Sequence, residues 1–149
     1  MIDRILSLFH SAPPKAQLPE ADARHALGAL MVRAAKVDRA YLFEEVETID
    51  RILAALNGLN PVEAAKMRAA CERLEAAMPD TAALAEIVHA AVPDEDAQAM
   101  VRALWQVVFA DGMEHLEEDN LLHEIEAVLG VAPDVARAIH DEEAARRSA

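Results

Sequence analysis

The sequence has a single cysteine, Cys71, so no disulfide can close within the chain, and its thiol fits a reducing compartment. Four glycines leave no phosphate-cradling loop and little material for an active-site loop. Aromatic residues make up 3 % and β-branched residues are thinly spread, which argues against a sheet. No run approaches the roughly 20 apolar residues of a membrane span. The N-terminus lacks the long apolar core of a secretion signal. A cytoplasmic location is the default expectation. Basic residues are also scarce: 14 Lys and Arg face 27 Asp and Glu, giving a net charge of -13. Such a surface repels phosphate backbones, so nucleic acid is not an expected partner. Cations and basic protein surfaces are, and a protein partner is expected without being identified.

What is present favours packed helices. The hydrophobic fraction is 54 %, much of it alanine, and 149 residues suffice for one domain with one core. Residues 1–19 read as a short amphipathic helix, with Ile2, Ile5, Leu6 and Phe9 on one face, and a linker holding Pro13, Pro14 and Pro19. This segment is expected to dock on the domain; peripheral membrane contact through residues 1–10 is the other reading. Residues 20–149 read as the helical domain. Helices are expected over Ala21–Val37 and Leu42–Leu56, then from Pro61 to about Met78, and over Ala82–Ala91. Further helices run from Pro93 to about Phe109, over His115–Leu129, and from Pro133 to a fraying end at Ala144–Arg147. In the second of these, Val46, Ile49, Ile52, Leu53 and Leu56 are expected inward. Trp105 and Cys71 are expected in the core, Cys71 as an inert thiol.

The two halves repeat. Val37-Asp38 aligns with Ala110-Asp111, and at the same offset Glu44-Glu45 falls on Glu117-Glu118, Ile49 on Leu122, Ile52 on Ile125 and Leu56 on Leu129. With one residue deleted, Leu59-Asn60-Pro61 falls on Val131-Ala132-Pro133. Each half is a long helix, a tight acidic turn, a second helix and a proline-started third. Two such hairpins can bury their apolar stripes against each other about a pseudo-twofold axis.

Carboxylates crowd the second turn: Asp111, Glu114, Glu117, Glu118 and Asp119. One reading is a weak calcium or magnesium site made by Asp111 and Glu118, since hard cations want several oxygens. Asp38 and Glu45 form the equivalent, weaker pair, because Arg39 places a cation beside Asp38. The other reading is helix chemistry, with acids favoured at the positive end of the dipole and Asp111 bonding turn amides; on sequence alone this simpler reading outweighs the first. The spacing is not that of an EF-hand loop. His115 and His123 read as surface or boundary residues, and His10, His25, His89 and His140 as isolated side chains at the edge of the core.

The string Leu104 to Gly112, followed by Glu117-Glu118 and the run Ile125 to Val131, resembles the Ala-Asp-Gly…Glu signature of TerB-like domains. Ala35 to Arg39 with Glu44-Glu45 is a weaker copy. The resemblance covers about Ala21 to Ile139, and the N-terminal helix and linker are similar to a bacterial branch of that family. It implies an all-α bundle of about seven helices without established catalysis, an association with tellurite resistance and stress, and acidic residues proposed to hold a metal ion such as calcium. The first turn departs from the family pattern, having Arg39 where Gly112 stands in the second. The expectation is therefore a non-enzymatic module that binds a divalent cation through its acidic turns. The alternatives are a metal-free scaffolding or interaction domain and a metal-assisted hydrolase.

Overall fold

The computed structural model describes residues 21–37 and 41–148, and every regular element among them is helical. In chain order these are α1 (Ala23–Lys36), α2 (Phe43–Asn57), α3 (Pro61–Ala77), α4 (Thr81–Ala91), α5 (Asp94–Val108), α6 (Leu116–Val128) and α7 (Pro133–Ser148), with a 3-10 turn (Phe109–Asp111) after α5. The fold is all-α, as expected, and no described helix is long and apolar enough to cross a membrane. The expected helix and linker at residues 1–19, with His10, and the first turn's Asp38 and Arg39 lie outside the described residues.

Local signals set the boundaries. Asp22 caps α1 by accepting from the His25 amide at 2.9 Å. Asn60 and Glu63 form a reciprocal capping box around Pro61, which enters the first turn of α3 without needing its missing N–H. Asp80 accepts from the Ala82 amide at 3.0 Å and opens α4. The last helix does not fray where the sequence suggested. It continues through Ser148 because its charged end is tied down: Arg102 on α5 donates to Glu142 at 2.6 Å and Glu143 at 2.9 Å, and Arg147 donates to the Ala110 carbonyl.

α1 is the hub. Nine of its fourteen residues are buried, so it is covered well beyond the stripe Ala26, Leu27, Leu30, Met31 and Ala34. It packs against α2, α3, α4 and α5. The small residues on its other faces, Gly28, Ala29 and Ala35, make that possible by letting neighbours approach. Leu56 departs from expectation: it is 52 % exposed, at the rim of a groove that it lines with Leu27, Leu53 and Val88.

The halves correspond. α1 packs on α2 and α3 as α5 packs on α6 and α7, and α1 crosses α5 between them. Helices α2 and α6 start at Phe43 and Leu116, 73 residues apart, and the third helices start at Pro61 and Pro133, 72 apart. The single deletion falls at the ends of α2 and α6. There the closing bonds Leu59 N–H to Ala54 O and Val131 N–H to Glu126 O, both 3.1 Å, correspond at the shorter spacing of 72.

Arg33 fastens the hub to the α3–α4 corner. Its guanidinium donates to Glu75 Oε2 at 3.1 Å, to the Glu75 carbonyl at 2.8 Å, to Thr81 Oγ1 at 3.2 Å and to the Met78 carbonyl. Lys36 adds a contact of 2.9 Å to Glu75 Oε1. Burial alone would raise the Glu75 carboxyl, but the bonds from Lys36 and Arg33 outweigh it and hold the group below its ordinary 4.5. A carboxyl depressed on folding stabilises above its unfolded value and loses that contribution as pH falls through the folded one. Glu75→Gln is therefore expected to cost about 1–2 kcal/mol at pH 7, with the difference from wild type closing as the pH falls below 4.5. Urea melts of the two proteins across that range check it; a gap independent of pH would assign the loss to shape rather than charge.

Candidate functional site

The second acidic turn is built from the end of α5 forward. Asp111 closes the 3-10 turn, and its Oδ1 accepts from the Met113 amide at 2.9 Å. Between them Gly112 sits at φ 81°, in the left-handed region that glycine adopts at little cost. Four residues after Met113, helix α6 is under way, and Glu118 at its third position folds back so that Oε1 accepts from the His115 amide at 3.1 Å. Glu118 is fully buried.

The first half repeats this lock. Glu45, 73 residues earlier, is also fully buried, and its Oε1 accepts from the Leu42 amide at 2.8 Å. Both glutamates continue an apolar stripe, Glu45 with Ile49 and Ile52, Glu118 with Leu122 and Ile125. That placement is what drives them inward. The positive end of the helix dipole and the amide bond offset part of the desolvation of each carboxylate. The 3-10 turn packs against α2, so the second acidic turn lies beside the helix that the first one starts. Of the four expected metal-site residues, the structure thus gives Asp111 a turn amide and Glu118 and Glu45 helix-start amides. Asp38 lies outside the described residues. Among the described residues, no group of three or more His, Cys, Asp and Glu is placed to hold a metal ion.

A cleft of about 570 Å³ opens beside the turn, between α5, α6 and α7. Trp105 forms its floor. The indole N–H donates to Glu126 Oε2 at 3.0 Å, the ring stacks on Phe109 at 5.6 Å, and His140 meets it edge-on at 4.7 Å. His140 Nε2 lies 3.0 Å from the Glu114 carboxylate and Nδ1 lies 2.8 Å from Asp141. Burial pulls the imidazole down, yet the bonds to Asp141 and Glu114 prevail and raise it above 6.5. Asp119 lies beside Glu114; burial and that neighbouring carboxylate push its carboxyl up to about 6.

This cluster is not legible along the chain. His140 stands isolated in the sequence, and α7 brings it against Glu114 from 26 residues away. A signal existed for Glu126: it interrupts the apolar run Leu122, Ile125, Leu129 on the face that meets Trp105. His123 is exposed and His115 half-buried, as expected of surface and boundary residues. His25 instead bonds Asp22, at 2.8 Å, and His89 is exposed. Cys71 is buried; burial first, then the charges of Asp22 and Glu72, push its thiol up to about 12, far from a nucleophile's range.

The family model described as tellurite resistance protein TerB matches residues 24–141. The chain therefore belongs to the TerB family. No curated protein and no solved structure matches it.

Proposed function

We propose that this TerB-family chain is a non-catalytic binding module whose acidic turns hold a divalent cation weakly. The observation that carries the reading is the pair of fully buried glutamates, Glu45 and Glu118, set in the same capping geometry at the same place in each half. A net charge of -13 makes the approach of a cation electrostatically favourable. Asp111 and Glu118 form the main pair, and Asp38 and Glu45 the weaker one. Asp111 and Glu118 each commit one oxygen to an amide, so a calcium or magnesium ion would keep most of its water and bind at the millimolar end of the range for calcium modules. Association with tellurite resistance and stress enters through the family, and a protein partner is part of the same proposal.

A second reading has its own support. The amide bonds of Asp111, Glu45 and Glu118 are sufficient reasons for these acids to be where they are. The turns would then be structural, and the chain a metal-free interaction domain. The hydrolase reading needs the same cation, and the lack of a metal-holding group of three among the described residues counts against both.

Melting curves with calcium, magnesium and chelator separate these readings. Calcium is expected to raise the melting temperature in proportion to occupancy at millimolar concentrations. Asp111→Asn should remove most of that gain and Asp38→Asn less. Identical melting of all three proteins in every condition would leave the metal-free domain. Equal losses from both substitutions would keep the cation and refute the asymmetry.

A further inference from the structure

A small apolar groove lies at the opposite end of α1, where the described chain begins. It is about 200 Å³, below the roughly 300–1,000 Å³ of small-molecule sites. Leu27, Leu56, Val88, Val92 and Met100 give it an apolar lining, with Ala23 at its lip. Leu56 is half-exposed there, although its position on α2 continues the inward stripe Ile49, Ile52, Leu53. A groove of this size accepts apolar side chains from a peptide segment.

We propose that the amphipathic segment Met1–His10 of the same chain occupies this groove, seating Ile5, Leu6 and Phe9 against Leu56, Val92 and Met100. Three observations on length, pattern and charge agree. Residues 11–20 separate the segment from the domain, and ten residues reach at most about 36 Å, while the groove begins at Ala23, beside the point of attachment. The sequence pattern Ile2, Ile5, Leu6, Phe9 would form one apolar face, and ten residues wound as a helix would span about 15 Å. Residues 1–20 carry Arg4 and Lys15 against Asp3 and Glu20, so the whole excess of negative charge belongs to the domain and does not repel the segment. A tether this short gives an effective concentration on the order of millimolar, so a contact too weak to form between separate molecules forms within one.

The test uses the full chain with one spin label at Ser7→Cys. The native thiol does not compete for the reagent, because Cys71 is buried and its thiol is pushed up to about 12. Methyl signals of Leu56, Val92 and Met100 are expected to broaden several-fold more than methyls on α6 and α7. Adding Phe9→Ser, or separately Leu56→Gln at its half-exposed site, should abolish the difference while the remaining spectrum stays that of the folded domain. Broadening spread evenly over the domain would overturn the proposal. So would broadening that appears only when the label sits on an undetected second chain, which would assign the groove to another copy.

Discussion

Replacing Trp105 with alanine is expected to destabilise the domain by about 3–5 kcal/mol. Two effects add. The indole is 1 % exposed and among the largest buried side chains, so its loss leaves a cavity between Phe109 and His140. It also strips Glu126, 5 % exposed, of the N–H that its Oε2 accepts at 3.0 Å. Trp105→Phe isolates the second effect, because it keeps an aromatic floor but no donor. It should cost about 1–3 kcal/mol, the penalty for an orphaned buried polar group. Burial already holds the Glu126 carboxyl above its ordinary 4.5 against the Trp105 bond; without that bond it rises further. Pairing Trp105→Phe with Glu126→Met should recover much of the loss. Urea denaturation of the four proteins reads these differences, and a Trp105→Phe variant as stable as wild type would remove the hydrogen bond from the account.

The second large effect is at Gly28. A Cβ there would stand 2.2 Å from Cys71 Sγ and 3.1 Å from its Cβ. Gly28→Ala should therefore cost about 1–3 kcal/mol through overpacking, although alanine gains roughly 1 kcal/mol of helix propensity over glycine. Cys71→Ala removes the sulfur and leaves only the milder contact. The double variant should accordingly lose less than the two single losses together, by at least about 1 kcal/mol. Strict additivity would show that α1 and α3 do not meet at this point. The position explains why a helix-breaking residue sits in the middle of the most buried helix. Gly28 was not singled out in the sequence because glycine within a helical pattern looks only like a weak spot.

The elements themselves were legible because each is punctuated locally. Asn57-Gly58, Asn60-Pro61, Pro79-Asp80 and Pro133 mark helix ends through backbone chemistry that tertiary contacts do not override. The repeat was legible for the same reason, since its register runs through these caps. Side-chain partnerships across helices were not. His140 meets Glu114, Arg102 meets Glu142 and Glu143, and Arg33 meets Glu75 only because of how α1, α3, α5 and α7 cross. No spacing along the chain encodes those crossings. Leu56 shows the limit of periodicity: it lies on the correct stripe yet stands half-exposed at the rim of a groove whose cover the spacing does not encode. The acidic turn stands between these cases. Asp111 and Glu118 stood out as a close group of charges, but whether they converge on a cation or on backbone amides depends on turn geometry, and the amide bonds are the part that the structure supplies.

Backbone amide shifts followed through a calcium titration test the central claim most directly. With a cation held at the acidic turns, the amides of Gly112, Met113 and His115–Asp119 should move first. Those of Leu42–Val46 should follow less strongly, with half-saturation near 1 mM, as for the weakest calcium modules. Shifts confined to the exposed acids that open α5, Asp94, Glu95 and Asp96, would mean diffuse attraction to a negative surface. No movement at the turns up to roughly ten times that concentration would contradict the cation site.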